Sequence, residues 1–299
     1  MKHGANVLFF LIKTIFVQLF EKKFYLCTSK NQVKNMNFNE LKSFLDEKVI
    51  QYNRPEFIET DPIQIPKNFS AKEDIEIAGF LISVIAWGQR KTIISNGLKL
   101  MDLLGNSPYD FVMSHSENDL ERLQNFVHRT FNGQDLEQFV LSLKNIYTHH
   151  NGLEKAFAQS IENNDLQLGI SNFKQLFFND LKCQRTSKHL PDPRKGSVAK
   201  RFNMFLRWMV RCDNAGVDFG IWKGISPSLL SCPLDVHSGN VARSLGLITR
   251  PKNDVEALSE LDNHLRKFDP TDPAKYDFAL FGIGVFDDLD LKKSPLIVK

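Results

Sequence analysis

The sequence predicts an all-α protein, and three observations carry that expectation. From residue 37 onward, apolar side chains recur at helical spacing in one segment after another. No segment alternates apolar and polar residues in the period-two manner of a half-buried strand. The connections are short and rich in Gly, Pro, Asn and Asp, as between helices that pack against their sequence neighbours. With 299 residues, 42% of them hydrophobic, the chain has the apolar material for one large or two modest domains, which excludes a disordered protein.

The elements follow in order. Leu41, Phe44, Leu45 and Val49 form the apolar stripe of a first helix beginning after Asn37. Residues 52–70, YNRPEFIETDPIQIPKNFS, contain Pro55, Pro62 and Pro66 and predict a loop or polyproline-like arm wrapping a core. Ser70 and Glu73 have the spacing of a capping box that opens a helix over 74–85, which ends at AWGQRK. A helix over 92–104 is stopped by Gly105. Further helices fit 117–130, 136–148, 153–162 and 170–178; HLPDPRKGS then breaks the pattern before helices at 198–210, 236–245, 255–268 and 276–286. No internal repeat or low-complexity tract is present.

Residues 7–20, VLFFLIKTIFVQLF, are the one candidate for membrane insertion or export, but Lys13 interrupts them and the run is too short to span a bilayer comfortably. FEKKFYLC follows, without the small residues of a cleavage site. Met36 stands directly before NFNELKSFLDEKV, so residues 1–35 are expected to be an upstream mis-start, with an extra docking helix as the other reading. The expected body is 36–286, with a tail at 287–299. Cysteines 27, 183, 212 and 232 make no C-x-x-C pair and no zinc or iron-sulfur spacing, so the expectation is a reduced, intracellular protein without a structural metal. A cytoplasmic monomer without cofactor is expected as well. Charge is uneven: between Lys182 and Cys212 stand nine Lys or Arg and one acid, Asp192. That pattern suits a phosphate-binding face and equally a solvated surface.

Two segments carry candidate chemistry. Gly196, Ser197, Val198, Ala199 and Lys200 join a proline-bearing turn to a helix, which places Lys200 in a first helical turn. There the helix dipole and the neighbouring Arg194, Lys195 and Arg201 disfavour the ammonium form, and only a neutral amine can attack carbon and form a Schiff base. An isolated lysine at such a position is more often a solvated or phosphate-contacting group. Thirty-five residues on, CPLDVH places Asp235 as the N-cap of another helix. A carboxylate fixed beside a lysine can stabilise a developing sugar cation.

GSVAKRFNMFLRWMV followed by PLDVHSGNVARSLGL resembles the hairpin-plus-lysine and aspartate segments of the helix-hairpin-helix (HhH-GPD) DNA glycosylases with lyase activity, nearest the 8-oxoguanine branch. The resemblance implies a two-lobed helical fold with a cleft between lobes, a hairpin near 190–200, Lys200 as nucleophile, Asp235 as catalytic carboxylate and duplex DNA with a damaged base as partner. It further implies Gln89 as a wedge filling the space of a flipped base, Phe281 stacking on that base, Asp277 bonding its edge, and His237 beside it. Arg90, Lys91, Arg194, Lys195, Gly196 and Arg201 would contact DNA phosphates. Val198 stands where the hairpin motif has its second glycine, and PDPRK replaces its usual apolar turn. No cysteine cluster of the iron-sulfur branch follows. From 37 to 286 the chain is also similar to an uncharacterised bacterial conserved family, through YNRPEFI, DIEIAGF, AWGQRK, FVHRTFNG and KYDFALFGIG.

The expected function is therefore excision of an oxidised purine such as 8-oxoguanine, with strand nicking through an imine. A non-catalytic nucleic-acid binder and a helical scaffold protein fit the same basic stretch.

Overall fold

The computed structural model describes residues 36–179 and 184–287. The expectations for residues 1–35, for Lys182, Cys27 and Cys183, and for most of the tail lie outside the described residues. Within them the protein is all-α: twelve α-helices, short 3-10 turns and one hairpin of two-residue strands. No helix among the described residues is long and apolar enough to cross a membrane.

The helices are α1 (Phe38–Tyr52), α2 (Lys72–Ile85), α3 (Arg90–Leu103), α4 (Pro108–Ser114), α5 (Glu117–Leu123) and α6 (Gly133–His149). They continue as α7 (Leu153–Ser160), α8 (Leu166–Phe177), α9 (Lys200–Val210), α10 (Val236–Ser244), α11 (Val255–Phe268) and α12 (Tyr276–Phe286). Local chemistry sets many of these limits. Asn37 caps α1 with a capping box closed by Glu40, and Asn132 with Asp135 does the same for α6. Asp254 caps α11 through the Ala257 N–H.

Three local expectations are corrected. The 52–70 arm is a run of 3-10 turns, Pro55–Thr60, Pro62–Gln64 and Pro66–Asn68, because each proline pre-sets the first residue of a turn and needs no N–H there. Ser70 and Glu73 form no capping box. The N-cap is Ala71 and makes no side-chain hydrogen bond, so Glu73 falls at the second helical position and Asp74 at the third, where Asp74 accepts the Tyr109 backbone N–H at 2.9 Å. The helix expected over 117–130 stops at Leu123. Arg129, at φ 57, turns the chain between β1 (Val127–His128) and β2 (Phe131–Asn132), which seats Phe131 in the core against Phe126 and Phe139.

Buried side chains form two clusters. The larger joins α2 and α9 to the helices between them, around the rings of Phe80, Phe139, Phe173, Phe202, Phe205 and Trp222. The smaller joins α1, α10, α11 and α12 through Leu45, Val241, Leu261 and Leu280. α12 packs between α1 and α10. It approaches α1 at Gly282, where any Cβ would run into the Tyr52 ring. Phe278 of the same helix belongs to the larger cluster, so α12 joins the two.

Candidate active site

A cavity of about 350 Å³ is lined by α9, α12, the turn ahead of α10 and the segments flanking α2. α9 contributes Lys200, Met204 and Arg207, whose spacing of four and three puts them on one helix face. Pro233, Asp235 and His237 arrive from the turn into α10, and Asp277 and Phe281 from α12. Phe57 and Asp61 come from the proline-rich segment. Trp87, Gly88 and Arg90 come from the junction between α2 and α3.

Lys200 is the first residue of α9, as its sequence position predicts. Ala199 precedes it in the left-handed region at φ 47 and is buried, while Gly196 takes φ 82 after the 3-10 turn Pro193–Lys195. Val198 has no such backbone requirement, and its side chain packs on the smaller cluster. The left-handed conformation in this turn falls on Gly196 and Ala199, so Val198 is free of it. Asn203 Nδ2 donates to the Val198 carbonyl at 3.0 Å and holds the turn against α9.

Asp235 is the N-cap of α10, and its two carboxylate oxygens face different ways. Oδ1 accepts the His237 and Ser238 backbone N–H groups at 2.8 and 3.0 Å, while Ser238 Oγ accepts the Asp235 N–H to close a capping box. Oδ2 lies 3.9 Å from Lys200 Nζ. The turn carrying Asp235 is itself braced: Asn253 Nδ2 donates to its carbonyl at 2.7 Å, and the buried Asp262 accepts the Cys232 N–H at 3.0 Å. Burial pushes the Asp262 carboxyl up to about 6, against the opposing hydrogen bonds from Ser231 and Cys232.

The charges facing Lys200 differ from those adjacent to it in sequence. Arg194 donates to Asn172 Oδ1 at 2.6 Å, and Arg201 is turned back to the Val84 carbonyl at the end of α2. Lys200 instead shares the cavity with carboxylates: Asp235, Asp277 and Asp61 all line it. Two cations of the basic stretch, Arg207 and Arg211, are buried inside the fold, and Arg185 is paired with a buried acid. Arg207 is buried between Asp218 and Asp277, and Arg211 contacts Asp213, Asp218 and Asp272. Arg185 bonds both oxygens of the buried Asp135 at 2.9 Å. Burial works against the Arg207 charge, but Asp218, Asp277 and Asp61 outweigh it and raise its pKa.

Of the other expected site residues, Arg90, His237, Asp277 and Phe281 line the cavity. Gln89 is exposed between two lining residues, Gly88 and Arg90, and is the N-cap of α3. Lys91, Arg194, Lys195 and Gly196 are exposed away from the lining. Asp277 is 6% exposed and both its oxygens are engaged, Oδ2 by Arg207 and Oδ1 by the Cys232 thiol at 3.8 Å. Burial raises its carboxyl to about 6, opposed by the charges of Arg207 and Lys200. The Arg90 guanidinium lies 5.5 Å over the Phe281 ring, so a planar group stacking on that face takes the place of Arg90.

Sequence reasoning missed Asp61, Phe57 and the cavity role of Arg207. Arg207 carried a usable signal, being seven residues from Lys200 on one helix face; Asp61, in a proline-rich segment, carried none. Among the described residues, no group of three or more His, Cys, Asp or Glu side chains could hold a metal ion.

Fold and cavity together define a helical protein with a lysine–aspartate pair at the mouths of two helices. The chain belongs to the family described as Protein of unknown function (DUF2400), which it matches over residues 61–286. Comparison with curated proteins and with solved structures gave no match.

Proposed function

We propose that the protein is a DNA base-excision glycosylase with lyase activity, acting on an oxidised purine such as 8-oxoguanine. The observation that carries this reading is the 3.9 Å approach of Lys200 Nζ to Asp235 Oδ2 on the wall of a cavity sized for a base. The cavity draws its lining from elements of both hydrophobic clusters, which supports a two-lobed helix-hairpin-helix arrangement with a cleft.

In this reading the flipped nucleotide places its base against Phe281, displacing Arg90, which then reaches a flanking phosphate. The neutral form of Lys200 attacks C1′, and the ionised Asp235 stabilises the positive charge that develops on the sugar as the base leaves. Loss of the amine proton with opening of the C1′–O4′ bond gives an imine, which acidifies the C2′ proton; removal of that proton expels the 3′ phosphate and nicks the strand. The division of labour in Asp235 suits this chemistry, because the oxygen facing the sugar is fixed by the one that caps α10.

The test is reductive trapping. Duplex DNA containing 8-oxoguanine or an abasic site, incubated with the protein and borohydride, is expected to give a covalent adduct that Lys200→Gln cannot form. DNA binding with no adduct across a panel of lesions would refute the enzymatic reading in favour of a binding protein.

A further inference from the structure

We propose that Asp61 reads the edge of the extruded base, and that the pocket therefore selects bases presenting paired N–H donors, as the amino and imide groups of guanine-type purines do. This rests on the glycosylase reading and assigns the base-recognition step within it.

Asp61 is 7% exposed and lines the cavity. Oδ1 is committed to the Ile63 backbone N–H at 3.0 Å, where Asp61 caps the 3-10 turn Pro62–Gln64. Oδ2 has no hydrogen-bond or ion-pair partner among the described residues. Arg207, Arg90 and Lys200 are near enough to stabilise the carboxylate through their charges. Desolvation raises its pKa all the same, so a buried acid with a spare acceptor stands on the wall with its solvation incompletely replaced.

A ligand that donates two N–H groups supplies what that oxygen lacks, whereas one presenting a bare acceptor there leaves two acceptors opposed. Asp277 is less suited to the task because Arg207 and Cys232 already occupy its oxygens. The remaining walls agree with a flat heterocycle. Phe57 stands edge-on to Phe281 with ring centroids 6.0 Å apart, giving an aromatic corner beside Asp61.

The experiment compares single-turnover excision from duplexes containing 8-oxoguanine and 8-oxohypoxanthine, which differ only in the exocyclic amino group, together with borohydride trapping on an abasic duplex. The full-length wild-type chain is expected to excise the amino-bearing base about tenfold to a hundredfold faster, the range for one hydrogen bond to a charged acceptor. Asp61→Asn keeps an oxygen for the Ile63 N–H but turns a donor toward the base. It is expected to lose that preference by slowing 8-oxoguanine, while still forming the covalent adduct with abasic DNA, where no base is present to be read. Equal excision of both bases by the wild type, or an undiminished preference in Asp61→Asn, would overturn the assignment and leave the lyase reading standing. A wild-type chain that traps no abasic DNA would refute the lyase reading, and the base-edge assignment with it.

Discussion

Replacing Asp235 by Asn separates the structural task of this side chain from its proposed chemical one. Asparagine caps helices as well as aspartate does, so Oδ1 can keep the His237 and Ser238 N–H groups while Nδ2 takes the position facing Lys200. The lost ion pair is long, at 3.9 Å, with side chains 31% and 23% exposed, and contributes roughly 0.2–1 kcal/mol. Urea denaturation should therefore move by no more than about 1 kcal/mol. Excision should fall far more, by about 10²- to 10³-fold, the cost of removing one preorganised group that stabilises transition-state charge. Asp235→Ala adds the loss of the cap, a further ~1 kcal/mol of stability, with no greater loss of rate. Single-turnover excision of 8-oxoguanine, measured on the same preparations as the denaturation curves, checks both parts. An Asp235→Asn protein that excises at the wild-type rate would refute the argument that the free oxygen takes part in the chemistry.

Arg207→Met should destabilise the fold by about 3–5 kcal/mol in urea titration, because it leaves the buried Asp277 without its cation and Asp218 with Arg211 alone; a loss below about 1 kcal/mol would show the pair to be dispensable. Asp262 titrates at about 6 in the folded protein against 3.8 unfolded. The fold therefore holds its proton more tightly, and stability from this group is lost as pH rises through that window, by about 3 kcal/mol. Asp262→Asn removes that dependence, so variant stability minus wild-type stability should become more favourable by about that amount between roughly pH 3.5 and pH 7; a flat difference would contradict it. For DNA binding, Lys195→Ala should reduce the slope of log affinity against log salt by about 1, whereas Arg201→Ala should leave the slope unchanged and lower stability, since Arg201 is bonded to the Val84 carbonyl.

The helices were legible because their signals are local. α11 and α12 have the limits that periodicity predicts, and Asn37 and Asp235 cap the helices they precede. Asp235 announced itself as a cap, and that same bond aims its other oxygen at Lys200. What stayed hidden depends on partners distant in sequence. Arg207 and Arg211 look like surface charge until Asp218, Asp272 and Asp277 are folded around them. Asp61 looks like turn chemistry beside Pro62 until the cavity forms over its second oxygen. The short hairpin at Val127–Asn132 escaped for a related reason: two-residue strands have no period, and their pairing and the burial of His128 and Phe131 emerge only in the fold.

The most direct measurement is the site of covalent attachment. Wild-type protein reduced with borohydride on an abasic duplex, digested and mapped by mass spectrometry, should carry the sugar remnant on Lys200. A remnant on any other amine, or a Lys200→Gln protein that traps as well as the wild type, would contradict the assignment of the nucleophile.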